Sequence, residues 1–296
     1  MTNRKLRISS GINLDATSPM NLREYMINGI DFNKAAGFDA LDFGAAYAPK
    51  FAPDNMEELM AEMRDYAASK ELRFEIVHLP FGLSPNVSTE QAETFAKNVY
   101  RSIDAAAILG TDYAVMHPTA RSEVLYKYDV KKNFERDYEH LAPFVEYGNK
   151  KGVNIVVENM RLAVEDYKRM EGYMPLRRFC HTPEELCRLT DALGVGVCWD
   201  VGHANICGLK QSESMQYIGK RLKVTHICDN YGYGDDHLPP FYGKIDWKDV
   251  AYGLSSCGYT GLFNYEVSAG KLPAASRELF GQYLVKAAEE IIGYME

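Results

Sequence analysis

Four residues in this sequence have the types and placement to hold a divalent cation. Glu158 closes the apolar run NIVVE, Asp200 closes GVCWD, His226 stands in KVTHICD and Glu266 closes LFNYE. Burying an unpaired carboxylate at the end of an apolar strand is expensive, so something must compensate the two glutamates. Arginine partners would do so; a cation shared with Asp200 and His226 satisfies both at once and is the favoured reading. Other donors repeat the placement: His78 ends RFEIVH, His117 follows DYAVM and His203 lies just beyond Asp200. Of seven histidines, five (His78, His117, His203, His226, His237) fall at or just after expected strand ends, leaving only His140 and His181 elsewhere. A single histidine in such a position is more often a hydrogen-bonded rim residue than a ligand. The grouping, not any one of them, carries the inference.

For donors roughly 40 positions apart to meet, the chain must bring its strand ends to one face. A repeated pattern does this: a helical stretch, a glycine, then a short run rich in β-branched or aromatic residues, read as helix, C-cap and strand. It occurs around Gly37, Gly110, Gly152, Gly194 and Gly258. RFEIVHL and KVTHICD, ending near Leu79 and Asp229, add two strands and LRISSGI opens the set, making eight. The segments S-T-E-Q from Ser88 and T-P-E-E from Thr182 have capping-box spacing, with Pro183 in the first turn where its missing N–H costs nothing. Strands alternating with helices imply parallel βαβ units. The expected fold is therefore α/β, a single (β/α)8 TIM barrel spanning 1–296. A doubly wound open sheet is the alternative, but no G-x-G-x-x-G follows the first strand. A long loop after strand five, at about 160–181, carries Tyr167, Tyr173, Met174 and Arg177 on the functional face, as a lid or as a surface or subunit contact.

Composition limits the partners. Hydrophobic residues make up 46% and charged residues 25% of 296, enough for a large core without signs of disorder. A net charge of -8 argues against duplex nucleic acid, which selects for concentrated positive charge. Arg177-Arg178 and Lys131-Lys132 are the local basic pairs, each more often a solvated face than a groove. Six cysteines without C-x-x-C spacing read as free thiols. No apolar run has the length of a signal or membrane-spanning segment, so a cytoplasmic location and no membrane partner are expected. Pairing of copies through outer helices is common in such barrels, but no outer apolar patch is legible here.

The motifs VVEN at Glu158, GVCWDVGHANICG with Asp200 and His203, and HICDNYGYGDDHLPPFYGKIDW from His226 resemble the xylose isomerase-like barrels. That family includes sugar isomerases, ketose 3-epimerases and the endonuclease IV type of apurinic endonuclease. The resemblance spans nearly the whole chain. It implies that Glu158, Asp200, His226 and Glu266 ligate one ion. It further implies that Glu158 and Glu266 act as acid and base while His203 orients a substrate oxygen. Endonuclease-like members add two zincs, at positions matching His78 with His117, and His203 with Asp235 and His237. HLPPFYGKIDW is similar to an HLPPG-type loop of sugar phosphate isomerase and epimerase relatives, except that Phe241 and Tyr242 precede Gly243.

The expected function is a divalent-metal-dependent isomerase or epimerase of a small sugar or sugar phosphate. It would remove a proton next to a carbonyl through a metal-stabilised enediolate. Three carboxylates and an imidazole suit Mn²⁺, Mg²⁺ or Co²⁺, while the extra histidines tilt the choice toward Zn²⁺. The alternatives are a multi-zinc phosphodiesterase or apurinic endonuclease, a dehydratase on the same scaffold, and a sugar-binding protein without turnover.

Overall fold

Glycines in the left-handed conformation end four helices, as the repeated pattern requires: Gly37, Gly110, Gly152 and Gly194 follow α1 (Leu22–Ala36), α3 (Thr89–Leu109), α4 (Val130–Lys151) and α5 (Pro183–Leu193). The fifth junction differs by one residue. Cys257 caps α8 (Trp247–Ser256) in a right-handed conformation and Gly258 takes the positive φ. At Ser88 both halves of the capping box form. At Thr182 only the first does: its hydroxyl accepts from the Glu185 N–H, while the Glu185 carboxylate turns to the Tyr128 hydroxyl and the Cys180 N–H.

The computed structural model describes residues 5–11, 21–44, 55–82, 87–119, 121–163, 176–267 and 272–295. Its remaining helices are α2 (Met56–Ser69), the short α6 (Val201–Ile206), α7 (Gln211–Ile218) and α9 (Ala274–Gly293). The strands are β1 (Ile8–Gly11), β2 (Ala40–Gly44), β3 (Phe74–His78), β4 (Tyr113–Met116), β5 (Asn154–Glu158), β6 (Gly196–Asp200), β7 (Leu222–His226) and β8 (Phe263–Tyr265). All neighbours pair in parallel, β1 lying between β2 and β8, so the eight strands form a (β/α)8 barrel. β7 ends at His226, earlier than the sequence suggests, because Asp229 leaves the sheet to pair antiparallel with Leu238. The barrel closes at β7 and β8 through one bridge: the Ile227 N–H donates to Asn264 O at 2.8 Å and the Glu266 N–H to Ile227 O at 3.1 Å.

Strand register places the donors. Ile76, Val115, Val156, Cys198 and Val224 fill the barrel interior with Ala40 and Leu262. Side chains alternate along a strand, so the residue two positions on points the same way, one layer higher. Those residues are His78, His117, Glu158, Asp200 and His226. On β8 the same step leads from Leu262 to Asn264 and then to Glu266. A greasy floor thus ends abruptly in a ring of donors. The six cysteines are unbridged, and no helix among the described residues is long and apolar enough to cross a membrane.

Candidate metal centre

Glu158, Asp200, His226 and Glu266 each offer a donor atom, and these four atoms lie within 4.8 Å of one another; His78, Glu158 and His226 form an overlapping group. His226 Nδ1 is 3.1 Å from Glu158 Oε2 and 3.2 Å from Glu266 Oε2. Neither approach has hydrogen-bond geometry: both His226 nitrogens and Glu158 Oε1 are buried without a hydrogen bond among the described residues. Buried polar atoms normally find partners, so three orphans in one cluster need a cause. Atoms crowded at about 3 Å that do not point at one another point at a shared position, as ligands of one ion do. The residues fit a divalent cation.

The electrostatics agree. Burial favours the neutral acid at Glu158, yet His226 and His117 beside it hold its carboxyl well below the usual range. At Glu266 burial is likewise outweighed by His226, which holds the carboxyl at about 2. Asp200 moves the other way, to about 7: burial dominates, and repulsion from Glu158 and Glu266 outlasts the help of His203. Burial opposes a charge on His226, but Cys198, Glu158 and Glu266 raise it well above its ordinary value. Protonated imidazole thus supplies positive charge that a cation would otherwise bring. No arginine pairs with Glu158 or Glu266 among the described residues; imidazoles take that place.

The other donors adjoin this cluster. His78 donates through Nδ1 to Leu79 O at 2.9 Å, leaving Nε2 3.1 Å from His117 Nε2. Glu158 Oε2 lies 3.0 Å from His117 and 3.4 Å from His78. Phe81 stacks on His117 with ring centroids 4.6 Å apart. His203 donates through Nδ1 to Asn159 O at 2.8 Å and faces Asp235 Oδ2 with Nε2 at 3.3 Å. His237, at a left-handed φ of 47°, donates through Nδ1 to Glu266 O at 2.7 Å and stands 3.3 Å from Asp235 Oδ1. Such a backbone is uncommon outside glycine and concentrates at functional sites. Arg161 Nε donates to Asp235 Oδ2 at 3.0 Å. All nine donors picked from the sequence lie on one rim. Of the loop after β5, Tyr167, Tyr173 and Met174 lie outside the described residues; its base is pinned where Ala163 pairs with Leu176, and Arg177 sits over the Tyr128 ring.

Three supporting residues escape a search for ligands. Asn159 accepts the Asp200 N–H at 2.6 Å and donates to Asp200 O at 3.0 Å, tying β5 to β6 at the donor layer. Asp42, two positions after inward-facing Ala40, is buried; its Oδ2 accepts from Asn264, which accepts in turn from Ser9, while Oδ1 has no hydrogen-bond partner among the described residues. Burial pushes the Asp42 carboxyl up, with His226 opposing. The period-two step that locates the other donors would have found it. Asp229 organises the loop after β7, accepting N–H bonds from Asn230, Gly243 and Ile245. This explains the altered HLPPFYG segment: Phe241 bears the left-handed φ of 72°, and Gly243 has no room for a side chain. A Cβ there would sit 2.2 Å from Asp229 Oδ1 and 2.4 Å from Asn230 O. Gly243→Ala is expected to cost about 1–3 kcal/mol, read as a lower denaturant midpoint. An unchanged midpoint would show that the loop adapts.

Comparison with known proteins gives a family match over residues 30–283, to the xylose isomerase-like TIM barrel. The uncharacterized protein MJ1311 of Methanocaldococcus jannaschii is 28% identical over 264 residues, covering 86% of this chain and 83% of that protein. A D-tagatose 3-epimerase-like protein superposes with a TM-score of 0.70 at 21% identity, covering 97% of this chain and 98% of the other. D-psicose 3-epimerase from Clostridium cellulolyticum H10 superposes equally well, at 0.70, with 15% identity and coverage of 97% and 99%. At such identities the superpositions speak for the fold alone.

Proposed function

The chain belongs to the xylose isomerase-like TIM-barrel family, and from that premise we propose that it is a divalent-metal-dependent isomerase or epimerase of a small carbohydrate. One observation carries the reading: Glu158 and Glu266 approach the same His226 nitrogen at 3.1 and 3.2 Å, so two carboxylates converge on one position. The epimerases that share the fold make carbohydrate the natural substrate class.

Glu158, Asp200, His226 and Glu266 would hold the ion. When bound, it supplies the positive charge that makes a proton beside a carbonyl acidic enough for a carboxylate to take. The side chains divide the remaining work. Glu266, 29% exposed, is the carboxylate a substrate can reach, and its low pKa keeps it ionised as a base. Glu158, 1% exposed, is the second proton-transfer group, with His117 at hydrogen-bond distance. His203, anchored through Nδ1, turns Nε2 toward the rim, where a substrate hydroxyl would exchange with Asp235. Asn159 fixes the Asp200 backbone and so its direction.

The test is a screen of ketoses, inososes and their phosphates for C–H exchange in deuterium oxide. Deuterium incorporation with no loss of water fits isomerisation or epimerisation; loss of water identifies a dehydratase instead. A second reading, a multi-zinc phosphodiesterase, draws on His78 and His117, whose Nε2 atoms face each other at 3.1 Å beside Glu158. Against it, Asp235 already receives Arg161, and the chain carries a net charge of -8.

A further inference from the structure

Two arginines stand on the donor rim, and one of them has no charge partner among the described residues. Arg161, three residues past β5, donates to Asp235. Arg178 reaches the rim because its neighbour Arg177 pairs antiparallel with Glu123, their backbones exchanging bonds of 2.8 and 2.9 Å. Its Nε donates to Ser122 Oγ at 3.0 Å, the one hydrogen bond its side chain makes among the described residues. No carboxylate there lies within ion-pair distance of it. Ala163 and Leu176 exchange backbone bonds of 2.9 Å and the Met160 N–H donates to Cys180 O at 2.9 Å, so positions 161 and 178 run alongside each other in one antiparallel pair; burial, and then the charge of Arg161, lower the Arg178 pKa. The acid that Arg178 also senses, Asp235, is already shared by Arg161, His203 and His237.

A half-buried guanidinium beside another is unfavourable until an anion joins them. Their planar forks suit the paired oxygens of a carboxylate or phosphate. The position fits a substrate end: Asp235, which Arg161 holds, is 3.3 Å from His203, and His203 Nδ1 is 3.3 Å from Glu158 Oε1. The arginines therefore stand beyond the proposed proton-transfer centre, within the span of a short sugar chain.

Resting on the carbohydrate reading above, we propose that Arg161 and Arg178 form an anion subsite for the terminal phosphate or carboxylate of the substrate, so that the protein acts on acidic rather than neutral sugars. The test is calorimetric titration of the Mn²⁺-loaded protein with D-fructose, D-fructose 6-phosphate, D-fructuronate and inorganic phosphate. At least one anionic sugar is expected to bind about tenfold or more tighter than D-fructose, and inorganic phosphate to compete with it. Preference for the phosphate or for the uronate then names the group. In Arg178→Gln the ratio of anionic to neutral binding should fall toward one, and Arg178→Lys should restore part of it, as structural damage would not. Equal binding of neutral and anionic sugars, no binding of any anionic probe, or an undiminished preference in Arg178→Gln would each overturn the proposal. Because binding needs no turnover, a retained preference without C–H exchange would sink the proton-transfer reading and leave the subsite standing.

Discussion

In a Glu266→Gln variant, C–H exchange on any sugar the wild-type protein processes is expected to fall by about 10³-fold, within the range a positioned general base contributes. The amide keeps the size of the side chain and one ligating oxygen, so a cation should still bind, more weakly. What it lacks is basicity. Glu266 is the group best placed to show this, being the reachable one of the two carboxylates that His226 holds ionised, at 3.2 Å from it. Measured exchange at the wild-type rate would exclude proton transfer through this residue. A loss confined to KM would mean that Glu266 binds substrate without moving its proton.

The second large effect concerns the cation itself. Three carboxylates and a histidine gathered within 4.8 Å should bind Mn²⁺ or Zn²⁺ in the folded state only. At about 100 times the dissociation constant such binding adds about 2.7 kcal/mol of stability, which for a chain of this size raises Tm by about 4 °C. Glu158→Ala should abolish the rise, since Glu158 belongs to both donor groups. Absence of any shift in the wild-type protein would mean that the cluster is held by protons alone. Counting bound metal in the same samples separates the two functional readings: one equivalent fits the isomerase or epimerase. Three equivalents with cleavage of abasic DNA would establish the hydrolase instead.

Much of this site was legible because alternation along a strand is rigid. Once NIVVE, GVCWD and KVTHICD are read as inward-facing strands, the placement of Glu158, Asp200 and His226 follows from counting by twos. Asp42 obeys the same count, but ALDFG shows no contrast between floor and rim, so its carboxylate passed for an ordinary polar residue. Asn159 was hidden for another reason: it acts through the backbone of a residue 41 positions away, and nothing local marks it. Arg161 escaped, and Arg178 showed only as half of a basic pair, because loops, not strand register, bring them together. Residues governed by strand geometry could be located from type and spacing; those governed by tertiary hydrogen bonds could not.

The single bridge joining β7 to β8 has a bearing on all of this. His226 is the last residue of one stave and Glu266 follows the end of the other, so two of the four donors straddle the least securely fastened joint of the cask. Under the proposed function, an ion gripping both would act as a rivet across that joint. Filling the site and completing the barrel wall would then be one event, and removing the ion would loosen the chain first along that line.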